Sequence, residues 1–254
     1  MAEPKVLVWD IETSHNVAAI FKLFEDYTSH ENILQERYII CASWKWLDEK
    51  KVHSVSVLDD PKLYKRDQFN DLHVVHKLYD ILCEADVIVA HNGDAYDLKF
   101  AEGRMLAHGL KPLPPMNSID TLKIAKSKFL LNSNKLDYLA RYLGFGKKLH
   151  TSNELWLRIL KGDKKAIAEM VEYNKHDVIL LEKVFLKLRP YCSNYVNRQL
   201  FGLDGCPFCG SQHTTRQGVR RALTRVYPRF QCQDCGGWYK GNTPVGKSTS
   251  TRIL

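Results

Sequence analysis

The N-terminal half alternates apolar runs with polar breaks. Residues 5–11 (KVLVWDI) form an apolar, β-branched run of strand length. Two more strand-like stretches, 37–46 (RYIICASWKW) and 52–58 (VHSVSVL), are separated by turn-rich charged residues, as in a hairpin. The period then changes. Between 69 and 85 the apolar positions Leu72, Val75, Leu78, Tyr79 and Leu82 have helical spacing. Residues 86–90 (DVIVA) read as a short buried strand, 98–110 as a helix ending near Gly109, and 117–120 as a strand edge leading into a helix. Leu136, Leu139, Ala140 and Leu143 repeat the helical pattern, and Gly144 suits a left-handed stop. The longest predicted helix is 164–188, with a stripe of Ile167, Met170, Val171, Val178, Leu181, Phe185 and Leu188, ended by Pro190. Strands first, then strands alternating with helices, predict an α/β class with a mixed sheet.

After Tyr195 the pattern gives way to short runs rich in Gly, Arg and Thr around cysteines. A boundary is therefore expected near 192–205. The expected organisation is a first domain over 1–192, a small cysteine-bearing domain over 204–240 and a flexible polar tail over 241–254. The tail holds a GKST run similar to part of a phosphate loop. No strand pattern precedes it and no helix pattern follows, so it reads as tail composition.

Composition narrows the class. The 254 residues are 44% hydrophobic and 26% charged, which excludes disorder across the whole chain. No apolar run approaches the ~20 residues of a membrane-spanning helix. The N-terminus carries acids where a secretory signal needs a basic region and a long apolar stretch, so a cytoplasmic or other intracellular location is expected. The net charge of +8 is unevenly placed: residues 206–254 hold eight basic residues against one acid, Asp234, a net of +7. A concentrated cationic segment beside a nearly neutral body points to a polyanion partner, with nucleic acid foremost.

Four acids occupy positions that surface decoration does not explain. Asp10 and Glu12 end the first predicted strand, and residues i and i+2 of a strand point to one side. Asp97 lies in HNGDAYD, at the junction between a strand and a helix, where α/β sheets place their sites. Asp177 lies in the long helix, four residues after Tyr173, so phenol and carboxylate share a face. Its neighbours Val178, Ile179 and Leu180 make an unpaired carboxylate costly there, and a divalent cation would offset that cost. Carboxylates suit Mg²⁺ and Mn²⁺. Two such ions roughly 3.5–4 Å apart activate a water and stabilise the leaving oxygen in phosphodiester cleavage, and Tyr173 is placed to orient the attacking water. Each element alone is weak, since Asp97 could be a helix cap and Asp-x-Glu recurs by chance.

Asp10-Ile11-Glu12-Thr13, Asn92-x-x-x-Tyr96-Asp97 and Tyr173-x-x-x-Asp177 together resemble the three exonuclease motifs of the DEDD superfamily, over about residues 4–188. The resemblance implies a ribonuclease H-like fold, a mixed sheet flanked by helices, and two-metal removal of nucleotides from 3′ ends. Tyr173 matches the DEDDy branch, which includes the proofreading domains of family B DNA polymerases. The DEDDh branch would need histidine five residues before Asp177, where this chain has Glu172, and His176 is out of register. Carried over, Asp10, Glu12, Asp97 and Asp177 would hold two Mg²⁺ or Mn²⁺ ions and Tyr173 would position water. Thr13 would meet the terminal nucleotide through its backbone, and Asn92 and Tyr96 would support the strand end or the substrate. Asp120-Thr121 resembles a recurrent Asp-Thr step, with Asp120 read mainly as structural. Asp94 is a rival to Asp97 that lacks the preceding aromatic and the spacing. No polymerase domain follows, so a free-standing exonuclease is expected.

The cysteines divide in two. Cys41, Cys83 and Cys192 sit among apolar residues and read as small buried hydrophobes. Cys206-Pro207-Phe208-Cys209-Gly210 and Cys232-Gln233-Asp234-Cys235-Gly236 resemble the knuckles of a zinc ribbon, a closed tetrahedral Zn²⁺ site that would supply folding energy to a small unit. Gly210 and Gly236 would permit the tight turn at each knuckle. Four thiolates leave no open position for catalysis. Arg216, Arg220, Arg221, Arg225 and Arg229 lie between the knuckles and are expected to bind phosphates. Aromatics in this segment can stack on unpaired bases, although Phe230 and Trp238 are read mainly as packing the miniature core. The resulting expectation is a metal-dependent 3′→5′ exonuclease acting on nucleic acid, with DNA bearing a free 3′ end favoured. The alternatives are an RNA exonuclease, a structure-specific endonuclease on the same fold, or a catalytically degenerate binding module.

Overall fold

A computed structural model of the chain describes residues 3–22, 27–47, 49–202 and 204–247. They divide into two compact units, Lys5–Val184 and residues 3–4 with 185–247.

The first unit begins with β1 (Val6–Thr13) and a short antiparallel pair, β2 (Val17–Ala18) and β3 (Ile33–Gln35). Next come β4 (Ile39–Trp46), β5 (His53–Ser56), α1 (Pro61–Arg66), α2 (Leu72–Glu84), β6 (Val87–Ala90) and α3 (Asp97–Ala107). β7 (Asn117–Asp120), α4 (Thr121–Lys128), α5 (Leu136–Tyr142), α6 (Asn153–Leu160) and the long α7 (Lys164–Leu188) follow. The five-stranded sheet has the order β5-β4-β1-β6-β7. β4 is antiparallel to both its neighbours, while β1, β6 and β7 run parallel. This is the mixed, helix-flanked sheet of a ribonuclease H-like fold.

The apolar runs of β1 and β6 reflect their central places. Val6 to Trp9 and all four residues of β6 are buried, as expected of strands covered on both faces. α2 presses Val74, Val75, Leu78 and Leu82 into the same core. A polar cluster is enclosed with them. Asp71 is fully buried, accepts from the Ile39 backbone N–H at 2.8 Å, and is bound by Arg104 of α3 and by His108 just past the end of that helix. The Arg104 guanidinium, with the hydrogen bonds from Ile39 and His108, leaves that carboxylate compensated inside the protein.

Several boundaries differ from the sequence pattern. The strand expected over 52–58 stops at Ser56, because Ser56 and Asp59 form a capping box that turns Val57–Asp59 into a 3₁₀ turn. α1 and α6 emerge where no helix was expected, being only 6 and 8 residues long. Cys83, expected to be buried, is exposed near the end of α2, while Cys41 and Cys192 are buried.

In the second unit, β9 (Arg225–Cys232) pairs antiparallel with β8 (Thr214–Arg221), β10 (Trp238–Lys240) and β11 (Gly246–Lys247). Gly246 and Lys247, expected in a polar tail, thus belong to a sheet. The remainder of that expected tail, 248–254, lies outside the described residues. Among the described residues no helix is long and apolar enough to cross a membrane.

Candidate active site

Three parallel strands deliver their C-terminal ends to one edge of the sheet. β1 outruns β6: its parallel pairing stops at Val8 opposite Val89, while β4 still ladders Asp10 to Ser43 and Glu12 to Cys41. One flank of β1 is therefore free of strand neighbours where the acids stand, and alternation points both to one face. α7 contributes the third acid. Its inward stripe runs Ala166, Ile167, Met170, Asn174, Asp177, Val178 and Leu181, so two polar residues replace apolar ones in mid-stripe. Carboxylate oxygens of Asp10, Glu12 and Asp177 lie within 4.8 Å of one another.

Two side chains that the sequence reading passed over complete this cluster. The Asn174 amide donates to Asp10 Oδ2 at 2.6 Å. Lys148, on the loop between α5 and α6, donates through Nζ to Asp177 Oδ2 at 2.5 Å and lies 3.5 Å from the Tyr173 hydroxyl. Its ammonium also sits 5.5 Å from the Tyr173 ring centroid. Asn174 had a signal, being a buried-stripe position one helical turn from Asp177. Lys148 had none, because its loop has no periodicity.

The cluster is electrostatically loaded. Burial first, then the charges of Asp97, Glu12 and Asp177, push Asp10 well above the usual carboxylate range. Burial and Asp177 lift Glu12 to about 8, although Lys148 opposes the rise. Burial raises Asp177 despite the Lys148 ammonium beside it, and raises Tyr173 with help from Asp177. Burial works against the charge of Lys148, yet Asp177 outweighs it and holds the ammonium above the usual lysine value. Asp177 Oδ1 is buried with no hydrogen-bond partner among the described residues. An orphaned oxygen, three converging hard donors and mutual repulsion are what a divalent cation would relieve, so these residues fit Mg²⁺ or Mn²⁺.

Asp97 stands outside that close trio. It is 5% exposed at the first position of α3, and its charge is felt by both Asp10 and Glu12. Burial raises it to about 6, against the backbone N–H groups of Asp97 and Ile11 that favour the anion. The junction before it is built tightly. Asn92 has φ 70° and Gly93 packs where a Cβ would come within 2.3 Å of Ala90 Cβ. Asp120 Oδ1 accepts from the Asn92 and Leu122 backbone N–H groups, both at 2.9 Å, which fixes the β6 end and caps α4. Asp94, the rival acid, is taken up by Lys123 at 2.6 Å and by Ser118. Tyr96 and Thr13 share a 2.6 Å hydrogen bond, to which Arg37 adds a 3.2 Å bond on the Tyr96 hydroxyl. The Thr13 carbonyl accepts from Trp156 Nε1 at 3.1 Å.

In the second unit the sulfurs of Cys206, Cys209, Cys232 and Cys235 lie within 4.8 Å of one another. The contacts of 3.6 Å (Cys206 to Cys235) and 3.7 Å (Cys209 to Cys232) are far beyond a disulfide, and all four cysteines are free. Gly210 and Gly236 have φ 77° and 75°, the left-handed turn that each knuckle needs. Burial opposes the Cys232 thiolate, but the backbone N–H groups of Cys235 and Asp234 bring it down to about 7. The cluster is compatible with a four-thiolate zinc ribbon. Arg216, Arg220, Arg221, Arg225 and Arg229 are all exposed on β8 and β9. Trp238 departs from expectation: at 47% exposed it does not fill the ribbon core, whereas Phe230 is half-buried and stacks on Tyr239.

A mixed sheet with carboxylates gathered beside its parallel strand ends defines the class, a ribonuclease H-like protein with a metal-suited acidic site. The chain belongs to the RNase_H superfamily: the RNase_H_2 family profile matches residues 30–189. The match covers Asp97, Tyr173 and Asp177 and begins beyond Asp10 and Glu12. Comparison with curated proteins finds no match. Membership suggests a metal-dependent nuclease that acts on nucleic acid.

Proposed function

We propose that this protein is a 3′→5′ exonuclease of the DEDDy type that hydrolyses phosphodiester bonds by a two-metal mechanism, with DNA as the favoured substrate. The observation that carries the reading is the convergence of Asp10, Glu12 and Asp177 within 4.8 Å, with Tyr173 one helical turn before Asp177. Asp10, Glu12, Asp97 and Asp177 would hold two Mg²⁺ or Mn²⁺ ions. When bound, such ions supply an activated water and neutralise charge on the leaving oxygen.

The chain's own groups have distinct tasks. The Asn174 amide fixes one oxygen of Asp10, leaving the other free to bind. The Tyr173 hydroxyl keeps its proton at neutral pH, since its value is raised, so it can donate to and orient a water. Lys148 holds Asp177 and reaches Tyr173, and so orders both. Thr13, hydrogen-bonded to Tyr96, would meet the terminal nucleotide, and Asn92 and Tyr96 would support the strand end or the substrate. The four cysteines would hold one structural Zn²⁺, and Arg220, Arg225 and Arg229 of the ribbon would meet substrate phosphates.

An oligonucleotide with an internal label and a free 3′ end tests the reading, as DNA and as RNA, single- and double-stranded, with Mg²⁺ or Mn²⁺. Stepwise release of mononucleotides from the 3′ end is expected, fastest on DNA. Internal fragments would indicate an endonuclease, and faster RNA turnover an RNA exonuclease. Binding without metal-dependent cleavage would overturn the enzyme altogether. Asp10→Ala and Asp177→Asn should each remove several kcal/mol of transition-state stabilisation, a loss of roughly a thousandfold, while binding persists.

A further inference from the structure

β8, β9 and β10 together hold five arginines and Lys240, with no aspartate or glutamate. Their register sorts these charges between two faces, because residues directly opposite in a ladder share a side and alternate residues along a strand return to it. One face carries Arg225, Tyr227, Arg229 and Gln231 of β9. Opposite them stand Arg220 (to Tyr227), Lys240 (to Arg229) and Trp238 (to Gln231). The other face carries Val226, Pro228, Phe230 and Cys232, with Tyr239 opposite Phe230 and Val219 opposite Pro228. That second face is the ribbon's small core, where the Phe230 and Tyr239 rings stack at 5.4 Å. Arg216 and Arg221 lie on it too, opposite Phe230 and Val226.

The first face is open. Trp238 is 47% exposed, and its ring has the Arg229 guanidinium 4.8 Å from its centroid. Lys240 Nζ lies 4.3 Å from the Tyr227 ring centroid. Arg229 and Lys240 are directly opposite, a like-charge pairing that weakens a sheet, and no acid in these strands offsets it. The face therefore repeats one unit, a cation set against an aromatic ring, and its strands supply no counter-charge.

We propose that this face is a platform for single-stranded nucleic acid, on which Trp238 and Tyr227 stack unpaired bases while Arg220, Arg225, Arg229 and Lys240 meet phosphates. The proposal rests on the nucleic-acid substrate class inferred above and specifies where and in what form it is held. Each nucleotide offers a flat π surface and an adjacent phosphate, which is the complement of the repeated cation–ring unit. A duplex hides its base faces and can use only the cations. The arginines thus divide: Arg220, Arg225 and Arg229 bind, and Arg216 and Arg221 face the other way.

The test uses the full-length, zinc-loaded protein and a fluorescein-labelled oligothymidylate, read by anisotropy without Mg²⁺ or Mn²⁺. The double variant Arg229→Ala/Lys240→Ala should lose about tenfold or more in affinity and flatten the salt dependence by about 1.4 in log–log slope, near 0.7 per phosphate contact. Arg216→Ala/Arg221→Ala removes the same charge from the opposite face and should lose less than about threefold. Trp238→Ala should weaken single-strand binding by about tenfold, in the range of one lost base stack, and leave duplex binding unchanged. Bound zinc is measured in every variant, and any that loses it is replaced by its glutamine counterpart (leucine for Trp238). Equal losses from the two double variants, no loss from the first, or duplex bound as tightly as single strand would overturn the platform. Mn²⁺-dependent hydrolysis of the p-nitrophenyl ester of thymidine 5′-monophosphate separates the two readings. If only the platform fails, the ester is cleaved and every variant binds alike. If only the nuclease fails, the ester survives and the face-dependent binding remains.

Discussion

Asn174 and Asp177 stand in the buried stripe of α7, 0% and 1% exposed, where the neighbouring inward positions are Met170, Val178 and Leu181. Such placement is costly unless each polar group is satisfied. Asn174 is satisfied in part by Asp10, and Asp177 on one oxygen by Lys148. The acids themselves remain in conflict, which sets a pH dependence. Glu12 is lifted from the ordinary 4.5 to about 8, chiefly by burial and Asp177, and Asp97 to about 6, chiefly by burial. A carboxyl raised in the folded state stabilises the fold most below its ordinary value, and that contribution fades as pH climbs through the raised one. Metal-free protein should therefore lose thermal stability from about pH 4 to about pH 8, and Mg²⁺ should restore more of it at the alkaline end. A melting temperature flat across that window would contradict the assignment. Lys148 lowers Asp10, Glu12, Asp97 and Asp177 alike, so Lys148→Met should steepen the alkaline loss. Asp10, Glu12 and Asp177 were legible because strand alternation and apolar neighbours mark a carboxylate as out of place. Lys148 was not, since it reaches Asp177 from a loop 29 residues away in sequence.

At the scale of elements, the site depends on strands of unequal length. β1 continues past the end of β6, and the turn that follows β6 must fold back sharply to bring Asp97 near. Gly93 makes that turn possible: Gly93→Ala would set a Cβ 2.3 Å from that of Ala90 and should cost about 1–3 kcal/mol in thermal or urea unfolding. A neutral substitution there would show that the junction is softer than its geometry implies. The main strands, α2, α3 and α7 could be read in advance because each carries a full period of buried positions. α1 and α6 could not, since 6 and 8 residues give too few repeats to distinguish a helix from a polar connection. The ribbon strands posed a different problem. RVYPRFQC offers aromatic or apolar residues on both faces, so the sequence did not say which face was core, and Trp238 was assigned to the wrong one. Cys232→Ser should release zinc and disorder the ribbon, weakening nucleic-acid affinity while hydrolysis of a mononucleotide ester continues. Full affinity in zinc-free protein would contradict that role.

Over the whole molecule, chemistry and charge are divided. Residues 1–205 carry a net +1 and hold the acidic cluster, whereas residues 206–254 carry +7. If the basic unit meets phosphates, affinity should fall steeply with added salt, whereas hydrolysis of a mononucleotide ester should respond weakly. The same division explains what sequence pattern could and could not disclose. Local spacing revealed two separate collections of ligands, the four cysteines and the scattered acids. Only folding showed that three of those acids converge while Asp97 stands beside them, and that the cations are split between two faces. The central claim is that the acidic cluster is a divalent-metal site, and titration of the zinc-loaded, full-length protein with Mn²⁺, followed by electron paramagnetic resonance, tests it most directly. The unmodified chain should take up two ions, and Asp177→Asn should weaken uptake by about tenfold or more. Equal uptake by both chains, or none by either, would contradict the claim.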